Sequence, residues 1–580
     1  MHYNIVKKAS RPYLEEMHNK AHEMSEVWKC INTLQKTPFK VNKAVLQVAR
    51  SVWDKGLTIG KIPSKFKEEI PPKPFDIDTN TEARKAWSRT KRVICDANET
   101  RESKILLTKS IFEIAEEYEK QPRIFFPQQY DWRGRIYSVP QFFNVQNNDL
   151  ARGLLLFANG KPLGSNDALQ SLAIHGANTF GEADKDTLDN RVKWVLDNQK
   201  YILDTANDPH SHYDFWGKCA EPFQFLAFCF EWRDFVKFGE TSDFVTHLPC
   251  YSDCTNSGLQ IFSALLADER GGKATNLVPG DKPEDVYREV SDETKRLLMQ
   301  KEDSVLKDML LEYGIDRYTV KKHTMCVVYA LTKFKGIEYI ESFFKDNQED
   351  GVPIPFSTDR NKIEGVPSLA KASSYLNNIV WDALKNVIEK SREAMDWLQK
   401  VTRLVAKNNV PITWTTPTGF IVQMICPVKT PKRINTNMGE KIWRPKLNKY
   451  VDDIRKTTML VDDTSKIDSD KASNTISSCF VHSLDASVLQ RAVCKAKDAG
   501  VDSFACIHDS FGVLAPDVEK MGISLRESFV NIFDRKNLLE DFKTEILDQV
   551  KKSDRAKIPE VPAKGSLDVS KVINSDYFCS

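Results

Sequence analysis

In the stretch FACIHDSFGVLA, residues 504–515, the polar residues His508, Asp509 and Ser510 interrupt an apolar run that resumes with Phe511, Val513 and Leu514. An unpaired carboxylate away from water is costly. The pattern therefore reads as strand, tight turn, strand, with the three polar residues at the turn and Asp509 facing an aqueous cleft. A second strand-like run ends at Asp253 within LPCYSDCTNSGLQIFSALLADERGG, residues 248–272. After it Thr255, Asn256 and Ser257 supply capping groups, and Leu259, Phe262, Leu265 and Leu266 keep helical spacing until Gly271 and Gly272 stop it. If the two strands are neighbours, Asp253 and Asp509 can share a pair of divalent cations, which activates a 3′-hydroxyl and stabilises a departing pyrophosphate. Alone, Asp253 reads as a helix-capping aspartate.

Two further groups of residues bear cations. In DRYTVKKHTMCVVYALTKFKG, residues 316–336, Arg317 and Lys321 share a helix face, and Tyr329 falls roughly 12 Å further along the axis and about 80° round. Two cations there can hold a polyphosphate; a basic surface helix with Tyr329 in the core is the alternative. In YDWRGRIYSV, Arg133 and Arg135 alternate with Trp132, Ile136 and Tyr137, so a strand would hold both guanidiniums on one side, suited to phosphate. Structural ion pairs are the competing reading.

These residues need a large scaffold, and 580 residues with 41% hydrophobic content can fill more than one core. Lys and Arg (83) nearly balance Asp and Glu (81), so any nucleic-acid contact must come from local basic surfaces. The twelve cysteines are scattered without CxxC spacing, against a zinc site or a small disulfide scaffold and in favour of a reducing cytoplasm. No signal peptide or bilayer-spanning apolar stretch is visible, so the chain reads as soluble. Residues 1–121 read as charged helices, including NKAVLQVARSVWDKG and the basic TEARKAWSRTKRVI, joined by a proline-broken connector. EPFQFLAFCFEW reads as a core helix. Residues 429–450 read as a long hairpin or loop turning at Gly439, with Lys432, Arg433, Lys441, Arg444, Lys446 and Lys449 around Trp443.

Taken in order, SDCTNSGLQIFSA with Asp253, then Arg317, Lys321 and Tyr329, then HDSFG at 508–512 resemble motifs A, B and C of the single-subunit, bacteriophage-type DNA-dependent RNA polymerases. DWRGRIYSVPQFFNVQNNDLARGLLLFANGKPLG, FLAFCFEW, FVHSLDAS, VPAKGSLDV and INSDYFCS are similar to that family as well. The resemblance implies a helix-rich α+β right-hand fold with an antiparallel palm sheet. It divides the chain into a remnant of an N-terminal domain (1–35), a thumb (36–121), a first palm part (122–160), a palm insertion (161–243), motif A (244–269), fingers (270–481) with a specificity-type loop about 429–468, and motif C with the tail (482–580).

It further implies DNA-templated RNA synthesis from ribonucleoside triphosphates, with two magnesium ions on Asp253, Asp509 and the backbone carbonyl of Cys254. Arg317, Lys321 and Lys322 match triphosphate-binding positions, and Lys321 is a candidate to protonate pyrophosphate. Tyr329 matches the residue that helps select the sugar, and His508 one near the primer end. Arg133, Arg135, Tyr137 and His482 would lie near template and hybrid, and Arg433, Trp443 and Arg444 on a loop that reads major-groove edges. Ser257-Gly258 replaces the bulky glutamate of related DNA polymerases and leaves room for a 2′-hydroxyl. The departures are Ala330 in place of glycine, Ile261 in place of histidine and Lys322 in place of arginine.

The match begins near the family's thumb, so a polymerase core made by truncation, gene splitting or natural reduction is expected; if the gene is split, a separate polypeptide would supply the N-terminal domain and dock around residues 1–35. The cytoplasm of an infected bacterium is the expected location. A DNA polymerase of related fold and a catalytically inactive DNA-binding or structural subunit stay open as rivals.

Overall fold

The computed structural model describes residues 4–7, 10–329, 331–349, 351–358, 364–534 and 537–580. Ala330 lies outside them. Among the described residues helices dominate, and the strands form six antiparallel sheets, five of two strands and one of three. Two hydrophobic cores result. One is built from residues 39–248, with Trp216, Phe223, Phe225 and Phe228 at its centre. The other joins residues 6–34 to the helices of the second half of the chain. The three-stranded sheet lies between them: Cys250, Ala505 and Leu514 belong to the first core, Cys506, Phe511 and Val513 to the second.

Residues 10–35 are integral to the second core. Tyr13 donates to the Ile421 carbonyl at 2.5 Å, Tyr130 donates to the Val27 carbonyl, and Glu26 pairs with Arg491 at 2.8 Å. The basic helix runs from Thr81 to Tyr118, about 57 Å long. Its C-terminal third is docked through Thr108, Ile111, Phe112 and Ala115, and before that Ile94 alone among the described residues of the helix is buried. The connector before it lies along its exposed part, with Trp87 Nε1 donating to the Pro71 carbonyl and Arg101 to that of Phe66. Pro222–Phe238 is the expected core helix.

Two local expectations need correction. Gly271 and Gly272 do not end a helix. Ser257–Leu265 stops first, Ala267 takes a left-handed φ of 52°, and both glycines lie inside the next helix, Glu269–Ala274. They are needed for close packing, since a β-carbon would stand 2.4 Å from Ser263 Oγ at Gly271 and 2.7 Å from Leu567 Cδ2 at Gly272. The long hairpin exists as a two-stranded ribbon, Pro427–Arg444 against Lys449–Ile467, but it turns at Pro445–Asn448. Pro445 has no N–H to give a ladder and Asn448 supplies the left-handed φ of 46°. Gly439 falls instead where the register shifts between Asn437 and Lys441. No helix among the described residues is long and apolar enough to cross a membrane.

Candidate active site

The strand Cys250–Asp253 pairs antiparallel with Ser510–Val513, which in turn pairs with Ala505–Ile507. Ile507 faces Ser510, so His508 and Asp509 form a two-residue turn, and Ser510 already belongs to the strand. His508 holds φ at 30°, a conformation most side chains avoid. Ser510 is the partner of Asp253, and Cys254 N–H donates to the Asp509 carbonyl at 2.9 Å. Both aspartates therefore stand at the same end of one sheet. Gly512 permits this packing: a β-carbon there would stand 2.6 Å from the Tyr251 ring of the adjacent strand.

Asp253 and Asp509 open into a cleft of about 550 Å³ also lined by Arg317, Lys321 and Tyr329. The helix Arg317–Val327 starts with a capping box on Asp316 and Thr319, which aims its first turns at the aspartates. Arg317 Nε donates to Asp285 at 2.6 Å, fixing the guanidinium. Burial, then the charges of Arg317 and Lys185, lower the Lys321 ammonium. Tyr329 is not on this helix as expected. The helix ends at Val327 and Tyr329 follows in a turn, its N–H on the Cys326 carbonyl. Its ring lies 5.0 Å from that of His482, and burial raises its hydroxyl to about 12.

Lys322 does not enter the cleft. One residue on from Lys321 it is turned about 100° round the helix, and its Nζ reaches Ser342 and Asp346 instead. Arg133 and Arg135 are likewise not side by side on a strand; they occupy the turn between Gln128–Tyr130 and Ile136–Ser138. The ion-pair reading describes their contacts. Arg133 bonds Asp131 at 2.6 Å and donates to His482 Nδ1 at 2.8 Å, while Arg135 bonds Asp485 at 2.8 Å. Tyr137 packs edge-on against His508 with ring centroids 5.0 Å apart. On the ribbon, Trp443 and Tyr450 face each other at 5.1 Å and, like Arg433 and Arg444, are exposed.

Several residues at the site escaped sequence reasoning. Asp485 is a third carboxylate, buried behind Asp509, three residues after His482 on the helix Ser469–Asp498, a spacing that puts both on one face. Asp184 and Lys185 enter the cleft from a turn between helices, a position without local signal. Arg152 and His175 lie behind Tyr251: the Arg152 guanidinium stacks 4.1 Å over the ring and His175 Nδ1 accepts from the Tyr251 N–H at 3.4 Å. The scattered cysteines also hide a pairing, since Cys254 and Cys579 form a disulfide across 325 residues. Spacing cannot reveal a bond between segments joined only by tertiary folding.

The donor set fits divalent cations bound mainly through water and phosphate. Among the described residues no three His, Cys, Asp or Glu side chains converge as a closed metal cluster. Burial, then the charges of Asp485 and Asp253, push Asp509 up to about 6, a repulsion that a cation would relieve. Ser510 Oγ is buried beside them without a partner.

A model of the DNA-dependent RNA polymerase family matches residues 161–557. The chain is similar to the DNA-directed RNA polymerase of Enterobacteria phage K11, at 32% identity over 98% of this chain and 64% of that protein. It is similar to T7 RNA polymerase of Escherichia phage T7, at 31% identity over 96% of this chain and 64% of that protein. The Arabidopsis thaliana DNA-directed RNA polymerase 2, chloroplastic/mitochondrial, is 29% identical over 96% of this chain and 52% of its own length. The chain thus spans less than two thirds of these relatives, and it belongs to the DNA-dependent RNA polymerase family.

Proposed function

We propose that this chain carries out DNA-templated RNA synthesis, joining ribonucleoside triphosphates by attack of the RNA 3′-hydroxyl on the α-phosphate. The observation that carries the reading is the register pairing Ser510 with Asp253, which puts two carboxylates opposite the cations of one helix. Relatives named as DNA-directed RNA polymerases support it.

Asp253, Asp509 and the Cys254 carbonyl would hold two magnesium ions. When bound, such ions supply Lewis-acid activation of the 3′-hydroxyl and charge stabilisation on the leaving pyrophosphate. The protein's own contribution is positioning and electrostatics. Arg317, pinned by Asp285, offers its remaining N–H groups to the triphosphate. Lys321, with its lowered ammonium, is the better proton donor to pyrophosphate. Gly258 and Tyr329 bound the space for the ribose, and Asp485 holds Arg135 beside His508.

The exposed ribbon carrying Arg433, Trp443 and Arg444 would meet duplex DNA, and the long basic helix would grip the hybrid through phosphates. If the polymerase is split between two genes, a second polypeptide would dock around residues 1–35 in the cytoplasm of an infected bacterium. Specific initiation by this chain alone, with no such partner recovered from its host, would remove that part of the reading.

The test is extension of an RNA primer annealed to a DNA template with magnesium, comparing ribo- with deoxyribonucleotides and wild type with Asp509→Asn. Ribonucleotide extension that falls about a thousandfold in the variant is expected, several kcal/mol of transition-state stabilisation. A deoxyribonucleotide preference, or extension indifferent to Asp509→Asn, overturns the reading.

A further inference from the structure

The residue after Asp253 is covalently tied to the far end of the sequence. The Cys254–Cys579 disulfide is accompanied by a β-bridge between the same residues and by Ser580 N–H donating to the Asp253 carbonyl at 3.2 Å. On its other side Cys254 N–H bonds the Asp509 carbonyl at 2.9 Å. The Cys254 peptide thus sits between both aspartate segments and a short tail laid along the outer edge of the Asp253 strand. Both cysteines are half-buried, open to a small thiol, whereas eight of the ten free cysteines are fully buried.

Just upstream the tail is firmly held. Phe578 is 2% exposed and packs against Phe529 at 5.0 Å, its carbonyl accepts from Gln260 Nε2 at 3.0 Å, and Ser575 Oγ donates to the Asn276 carbonyl at 2.7 Å. Past Phe578 the non-covalent contacts of residues 579 and 580 are few: the bridge, the Ser580 backbone hydrogen bond, a long one from Arg191 to Ser580 Oγ at 3.5 Å, and the packing of half-buried Cys579 on the second core, set against the conformational freedom of the two residues. The disulfide is what holds them. Breaking it frees residues 579–580 and one side of the Cys254 peptide without disturbing the Phe578 anchor.

We propose that Cys254–Cys579 is a redox latch on the aspartate strand, closed when oxidised and opened by dithiols, and that opening it slows templated extension. This second clause rests on the polymerase reading. A dithiol thiolate attacks Cys579 Sγ, breaking the S–S bond and releasing Cys254 as a thiolate that takes up a proton. The second thiol of the reductant then attacks the mixed disulfide, leaving Cys579 as a thiol and the reductant as a cyclic disulfide. Two electrons and two protons pass to the cysteine pair, and the oxidised dithiol reverses the step. In a reducing compartment such a bond follows the thiol poise, so the state of the strand would follow it too.

The test uses the full chain equilibrated in buffers of graded reduced-to-oxidised dithiothreitol. Peptide mapping after alkylation reads the 254–579 linkage, hydrogen exchange reads the Cys254 and Ser580 amides, and extension of an annealed RNA primer reads activity. The expected results are a single two-electron transition in the linkage, exchange about tenfold faster at both amides on reduction, and extension about fivefold slower, reversed by reoxidation. Cys579→Ala, which has no linkage to map, should respond to dithiothreitol in neither exchange nor extension. Cysteines alkylated at every poise, exchange and extension unchanged between the two states, or a Cys579→Ala protein as redox-sensitive as wild type would each overturn the proposal. A chain that extends no primer in either state would refute the polymerase reading, while mapping and exchange would still decide the latch.

Discussion

Gly258 lies against the Tyr329 hydroxyl: a β-carbon on its backbone would stand 3.4 Å from that oxygen and 3.0 Å from Val328 Cγ2. A methyl group at this point narrows the space between the helix Ser257–Leu265 and Tyr329 where the ribose edge of a nucleotide would rest. Gly258→Ala should lower kcat/KM for ribonucleotides about tenfold more than for deoxyribonucleotides, about 1.4 kcal/mol of discrimination. Competition between the two nucleotide classes on one annealed scaffold measures it. An unchanged ratio would mean that the sugar is read elsewhere.

Arg135 and Asp485 form a pair whose side chains are 12% and 7% exposed, directly behind Asp509. Replacing Arg135 alone with Leu leaves a buried carboxylate uncompensated and should cost about 3–5 kcal/mol of stability. The double replacement Arg135→Leu with Asp485→Leu should recover most of that loss in denaturant unfolding. Little or no effect of the single change would favour a free nucleic-acid contact over the ion pair.

Two buried groups near the cleft titrate with opposite consequences. Burial, then the Arg152 charge, lowers His175 to about 3, so the unfolded chain binds its proton first and stability rises with pH between that value and the ordinary 6.5. Burial, then the Glu221 charge, raises Asp149 to about 7, so the folded chain keeps its proton longer and stability falls as pH climbs from the ordinary 4 to about 7. The two slopes, each about 1.4 kcal/mol per pH unit, offset one another between roughly pH 4 and 6.5. Relative to wild type, Asp149→Asn should gain stability with rising pH, and His175→Gln should lose it. Urea midpoints across that range test both signs.

Arg433 and Arg444 are exposed on the ribbon, so their role, if phosphate contact, is electrostatic. Changing both to Ala should reduce the slope of log affinity for duplex DNA against log salt by about two and leave extension of an annealed primer within about twofold of wild type. An unaltered slope would exclude the ribbon from DNA binding.

Much of the site is written in local rules. The polar turn at His508-Asp509, the strand end at Asp253 and the shared face of Arg317 and Lys321 depend on neighbours within a few residues, and the fold places them accordingly. Lys322 illustrates a resemblance that helical geometry overrides, since adjacent residues on a helix cannot share a face. Asp485, Lys185, Arg152 and the Cys254–Cys579 bond depend on which distant segments meet, and no periodicity encodes that. Arg133 and Arg135 fall between these cases. Their charge was plain, but their partners Asp131 and Asp485 decided what it does.

The strand ending at Asp253 has one neighbour in its sheet, Ser510–Val513, and that neighbour is made about 250 residues later. At roughly 5–20 residues per second a ribosome leaves the earlier strand without it for on the order of 10–50 s. During that interval an unpaired backbone edge that includes Cys250 and Tyr251 is available to any other extended chain. The nascent protein is therefore most prone to wrong association in mid-synthesis, and Asp253 and Asp509 come to the same end of one sheet only when the closing hairpin has emerged.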